Sequence, residues 1–317
     1  MAGPLGEGED GGGEEHGAVG TSHAVRDLIR GLTKVPFHIA DNPEFLKEGD
    51  AINDFMKSDR IVCGVDCPEA EACLPALYEP FVRNGNPIHF MDVRSADIVR
   101  YVPNAMLAAK ISFINEIAKL CERMGADVAS VREGMCADRR IGNQFLYPGL
   151  GYGGSGFPKD TQAVVGMGRA AGLDCKLNAA VHEVNQGQRA HFWAKVEARM
   201  GAGNLRGKTL AFWGVAFKPR TDDIREAPSI ALMERAKVRA YDPVAMENLA
   251  KDHPGLAERA PDMYARLDGA DALVICTEWN EFRSPNFAEI RSRLRAPLVF
   301  DGRNLFRPEQ MAREGFE

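Results

Sequence analysis

The chain has 317 residues, 45% apolar and 26% charged, with 39 basic against 45 acidic side chains and a formal charge of −6. At roughly 150 residues per domain this predicts about two domains with enough apolar material for real cores. The acidic balance excludes a phosphate-backbone binder, no apolar run reaches the ~18 residues of a membrane span, and no basic-then-apolar leader opens the chain, so a cytoplasmic protein acting without nucleic acid or membrane is expected.

The first twenty residues hold eight glycines, five acids and no Lys or Arg, which predicts a disordered tail. Gly6 to Gly11 matches G-x-G-x-x-G, but no strand precedes it and its carboxylates would repel a pyrophosphate, so the match is read as accidental. From Thr21 the pattern turns globular. Val25, Leu28, Ile29 and Leu32 have helical spacing, with Gly31 as an interruption near the end. Pro36–Ala40, Ile61–Val65 and Pro87–Met91 read as strands and Glu69–Val82 as a helix, the alternation of an α/β domain.

The strongest helical signal follows. Ile98, Val102, Met106, Ala109, Phe113, Ile117 and Leu120 recur every three or four residues, Gly125 is a stop, and Pro103 threatens a kink. So long an apolar stripe is either a buried spine or a subunit interface. Helices near Val128–Glu133 and Ala179–Met200 complete a helical middle, and Gly201–Asn204 reads as a linker. Strands at Lys208–Trp213, Val238–Tyr241, Ala272–Cys276 and Leu298–Phe300 then predict a second parallel α/β unit. Its first crossover, Pro228–Ala236, is short for a βαβ helix. The seven cysteines form no C-x-x-C pair, so no disulfide framework and no metal site are expected.

Gly149-Leu-Gly-Tyr-Gly-Gly-Ser-Gly-Phe-Pro-Lys-Asp160 is a glycine loop ending in a Lys–Asp pair. Alone it fits either a ligand cradle or a tight interdomain turn. Its company is Asn42-Pro-Glu-Phe-Leu-Lys-Glu48, Met91-Asp-Val-Arg-Ser95, Phe145–Gly149, Ala216-Phe-Lys-Pro-Arg-Thr-Asp222, Arg225-Glu-Ala-Pro-Ser229, Thr277–Pro285 and Phe300-Asp-Gly-Arg303. In this order the motifs resemble the UDP-glucose 6-dehydrogenase branch of the UDP-glucose/GDP-mannose dehydrogenases, from about Val19 to the C-terminus.

The resemblance implies an α/β fold divided into a disordered tail (1–20), a remnant of an NAD-binding Rossmann domain (21–92), a central helical dimerisation region (93–203) and a Rossmann-like UDP-sugar-binding domain (204–317). It implies oxidation of UDP-glucose to UDP-glucuronate, a polysaccharide precursor, with two NAD, through a cysteine thiohemiacetal and thioester, and a homodimer joined through the long helix. By motif, Glu44 is the base or water-positioning acid, Asp160 orients the catalytic water, and Arg100 (a Lys in the family) and Asn104 grip the oxyanion. Glu44, Phe45, Leu46, Glu48, Arg100, Asn104, Arg140, Phe145, Leu146, Tyr147, Pro148, Gly149, Gly153, Lys218 and Arg303 match the sugar-nucleotide pocket, Arg140 reaching across the dimer. Glu48, Lys159 and Arg225 match NAD contacts.

Two departures stand out. The nucleophile position is Gly156, which has no thiol, and Ser155 belongs to the ordinary motif with no evident base. The strand, glycine fingerprint and ribose-binding acid of the family's NAD domain are expected upstream of Val19, where only the glycine-rich segment stands. The expectation is therefore a shortened member without turnover, the alternative being a non-catalytic UDP-sugar-binding or dimer-partner fragment.

Overall fold

The computed structural model describes residues 19–82, 86–201, 205, 207–259 and 261–317. The glycine-rich tail up to residue 18 and residues 202–204 of the expected linker lie outside them. The described residues form two compact units, one of 19–45 with those of 55–100, the other of 46–54 with those of 101–317.

In chain order the first elements are α1 (Thr21–Leu32), β1 (Ala40–Asp41), α2 (Ala51–Met56), β2 (Ile61–Val65), α3 (Pro68–Tyr78), β3 (Ile88–Met91) and α4 (Val93–Met124). In the first unit β2 is central, antiparallel to β1 (Ala40↔Val65) and parallel to β3 (Ile61↔Ile88). Ile61, Val62 and Cys63 are buried. Gly64 lets the start of α4 close onto β2: a Cβ there would stand 2.6 Å from the Ala96 Cβ. The expected strand from Pro36 shrinks to two residues, because Pro36 has no N–H for a ladder. Gly31 does not interrupt α1, which runs on to Leu32.

The second unit continues with α5 (Val128–Cys136), α6 (Phe157–Ala170), α7 (Lys176–Met200), β4 (Thr209–Trp213), α8 (Pro228–Met233), β5 (Lys237–Tyr241), α9 (Met246–Asp252), β6 (Glu258–Arg259), β7 (Ala272–Ile275), α10 (Phe287–Arg293), β8 (Val299–Asp301) and α11 (Pro308–Arg313). Its sheet is parallel throughout, in the order β6-β5-β4-β7-β8. Alternation along β4 sorts its side chains. Leu210 and Phe212 join the core with Trp193, Val196 and Met200 of α7, whereas Ala211 and Trp213 pack with Phe282, Ile290 and Phe316 on the other face. Each such large side chain contributes roughly 1.5–3 kcal/mol by burial. The crossover helix α8 is only six residues, yet it connects β4 to β5 in parallel.

Two helices depart from the expectation. The helix α6 was not foreseen, and its first turn includes Lys159 and Asp160, so a helix rather than a loop positions that pair. In α4 the buried side chains are Val93, Ala96, Asp97, Tyr101, Ala105, Ala108, Ser112, Ile114, Asn115 and Cys121. The predicted apolar stripe lies elsewhere on the helix: Ile98, Val102, Met106, Phe113 and Leu120 are each about half exposed. Pro103 does not end the helix, which continues to Met124.

Candidate functional site

The glycine loop before α6 is held from two helices. Asn115 of α4 accepts the Gly149 N–H at 2.7 Å, and Gln188 of α7 donates to the Gly149 carbonyl at 2.7 Å. One turn earlier on α7, buried Asn185 accepts from the Tyr152 N–H at 2.8 Å and donates to its carbonyl at 3.1 Å. Each amide satisfies backbone that no ladder serves. Gly151 (φ 94) and Gly154 (φ 80) adopt left-handed conformations, and a Cβ on them would meet Asn185 Oδ1 at 2.4 Å and the Phe217 ring at 2.7 Å. The Gly154 N–H donates to the Arg225 carbonyl at 2.9 Å, stitching the loop to the segment after β4.

Residue 156 lies beside two expected site residues, Asn104 and Asp160. Asn104 Nδ2 donates to Asp160 Oδ2 at 2.6 Å, and a Cβ on Gly156 would stand 4.0 Å from the same Nδ2 with nothing closer. Asp160 is buried within the first turn of α6. A carboxylate and an amide thus face open space over a backbone that offers no side chain.

The other candidate residues cluster where the strand order reverses, between β4 and β7, the place at which open α/β sheets take ligands. Arg303, after β8, donates to the Cys276 carbonyl after β7 at 2.6 Å and to the Phe217 carbonyl after β4 at 2.9 Å, and pairs with Glu278 at 3.2 Å. Asn304 donates to the Pro148 carbonyl at 2.8 Å. One arginine therefore gathers three strand-end loops beside the glycine loop. The Cys276 thiol is pushed up to about 12 by burial, so it is no substitute nucleophile.

On the loop after β4, burial lowers the Lys218 ammonium and Glu48 opposes that shift. Burial raises the Glu48 carboxyl against the hydrogen bond from Thr221, and Asp223 raises it further. Burial would also raise Asp223, but Arg225, donating through Nε at 3.0 Å and Nη2 at 2.9 Å, holds it below its usual range. These residues form one connected polar cluster.

The remaining candidates are dispersed. Phe145 takes a left-handed conformation (φ 64) and packs on Phe157, Leu146 is buried, and Arg132 lies over the exposed Tyr147 ring at 4.0 Å. Arg140 is exposed and paired with Asp138. Leu46 is exposed. In the first unit, exposed Glu44 stands on irregular backbone beside Phe45, whose ring carries Arg60 at 4.1 Å. Arg100 is near Asp41, whose carboxyl is raised by burial and by Asp97. Sequence reasoning missed Asn115, Asn185 and Gln188. The signal for two of them was their three-residue spacing within α7, which puts Asn185 and Gln188 on one helix face; Asn115 stands alone on α4 and carries no such signal.

Comparison with known proteins identifies the family. The NAD binding, central and UDP binding domain models of the UDP-glucose/GDP-mannose dehydrogenase family match residues 17–82, 94–187 and 211–308. UDP-glucose 6-dehydrogenases of Pseudomonas aeruginosa and Rhizobium meliloti are 44% and 43% identical to it, each over 94% of this chain and over 69% and 70% of their own lengths. The structure of a UDP-glucose dehydrogenase from Pyrobaculum islandicum superposes with a TM-score of 0.84 at 35% identity, covering 94% of this chain and 67% of that one. With the glycine loop, the Asn104–Asp160 pair and the Arg303 crossroads each inside a matched region, the chain belongs to the UDP-glucose/GDP-mannose dehydrogenase family, whose members use NAD.

Proposed function

We propose that the chain binds UDP-glucose at the β4–β7 reversal, with the sugar directed at residue 156, where the convergence of Asn104, Asp160 and the glycine loop carries the reading. Lys218 and Arg303 supply cations for a diphosphate. Leu46, Glu48, Phe145, Leu146, Tyr147, Pro148, Gly149 and Gly153, all in the second unit, line the pocket. Asn104 and Asp160 orient a hydroxyl or water at the sugar's oxidised carbon. Lys159, in the first turn of a fourteen-residue helix, and the half-exposed Arg225, held by Asp223, fit the phosphates of a dinucleotide, and Glu48 a ribose hydroxyl. NAD bound there supplies a hydride acceptor.

The chemistry is bounded by Gly156. No bond from protein to aldehyde can form at a residue without a side chain, so the thiohemiacetal and thioester stages are closed to this chain. With UDP-glucose and NAD, the purified chain is expected to give no steady NADH; sustained formation above a protein-free control would contradict this.

The exposed stripe of α4 supports a homodimer. Met106, Phe113, Ile141 and Leu177 line a cavity of about 610 Å³ on the second unit, with Arg140 at its edge. A symmetric partner laid along α4 would cover these side chains. Among the described residues no helix is long and apolar enough to cross a membrane. Together with free cysteines, this supports a cytoplasmic setting.

A further inference from the structure

We infer that His38, Cys67 and Glu69 in the first unit form a binding site for a zinc-like divalent ion. The placement follows from strand register. Ala40 pairs with Val65 across β1 and β2, so continuing the antiparallel count sets His38 opposite Cys67. His38 Nδ1 and Cys67 Sγ are 3.0 Å apart. Cys67 is the N-cap of α3 in an extended conformation, and Glu69 follows two residues later in the first turn. One ligand atom from each of the three side chains lies within 4.8 Å of the other two.

The donor set selects the ion class. Ligands at roughly 2.0–2.3 Å from a tetrahedral zinc stand about 3–4 Å apart; His38 Nδ1 and Cys67 Sγ are 3.0 Å apart and all three donors lie within 4.8 Å of one another. Imidazole nitrogen, thiolate sulfur and carboxylate oxygen suit a borderline ion such as Zn²⁺, whereas Ca²⁺ and Mg²⁺ prefer oxygen alone. Three protein ligands leave a fourth position for water, and His38 and Glu69 are exposed, so an ion can enter from solvent. Binding would cross-link the segment before β1 to the start of α3. The sequence conceals the site because His38 stands twenty-nine residues before Cys67 and the three ligands share no familiar spacing.

The test uses the full chain stripped with chelator and titrated with Co²⁺, then with Zn²⁺. One Co²⁺ per chain is expected, with intense visible bands of tetrahedral geometry and a near-ultraviolet thiolate band, both bleached by Zn²⁺. Cys67→Ser should abolish the thiolate band, and His38→Ala should weaken binding at least about tenfold. Glu69→Gln should weaken binding but keep the band, and Cys73→Ser, at a separate exposed thiol, should change nothing. Circular dichroism checks that each variant is folded. A thiolate band that survives in Cys67→Ser, a weak octahedral spectrum, or affinity unchanged in His38→Ala would overturn the proposal.

Discussion

Three glycines within six residues obey different constraints. Gly151 and Gly154 combine positive φ with neighbours that leave no space for a Cβ, while Gly156 has an ordinary helical φ of −82° and open space. Gly154→Ala should therefore cost about 2–4 kcal/mol from strain and overpacking. Gly156→Cys should leave the melting temperature within a few degrees of the parent, since about 1 kcal/mol moves it only ~2–4 °C at this size. Thermal denaturation of the two variants checks the contrast. A thiol placed at 156 would also stand beside the Asn104–Asp160 pair, and its rate of alkylation would report the pocket's polarity. A second residue-scale prediction concerns Glu48. Its carboxyl is raised by burial and by Asp223, so the folded state binds its proton more tightly than the unfolded chain does. That contribution is complete below the ordinary carboxylate range and is lost as pH rises through the shifted value. Glu48→Gln should therefore gain stability relative to the parent at neutral pH, and the gap should close on acidification. Melting curves from pH 4 to pH 7 should show the convergence, and parallel curves would argue against it.

At the scale of elements, the sequence was legible where periodicity met burial. The buried strands β2 and β4 and the long helices α4 and α7 stand within a few residues of their expected bounds. What failed did so for identifiable reasons. In α6, Gly166 and Gly168 dilute the helical signal, although Pro158 and Asp160 mark its first turn and Gly168 is needed where Cys175 Sγ would contact a Cβ at 2.4 Å. The edge strand β6 has only two exposed residues and no pattern to read. In α4, the apolar stripe was visible but its destination was not, because hydrophobic spacing is the same for a core and for an interface. The exposed stripe favours the second. Light scattering should find a dimer, and the double variant Met106→Asp with Phe113→Asp should be a folded monomer. A parent chain that is already monomeric would remove the role assigned to the stripe.

For the whole molecule, sheet order and side-chain chemistry meet in one place. The strand order β6-β5-β4-β7-β8 reverses between β4 and β7 in a sheet that stays parallel, and Arg303 bridges the loops that leave that reversal. The sequence motifs pointed to Lys218 and Arg303, but only the folded chain shows the glycine loop anchored by Asn115, Asn185 and Gln188 beside them. The proposed sugar-nucleotide pocket and the missing thiol are separable, since the first would depend on backbone and cations of the second unit and the second on one atom at residue 156. Calorimetric titration of the full chain with UDP-glucose tests the pocket most directly. The account predicts one site per chain whose affinity falls at least about tenfold in Arg303→Ala. An absence of binding heat over a range of temperatures, or equal affinity in the folded variant, would contradict it.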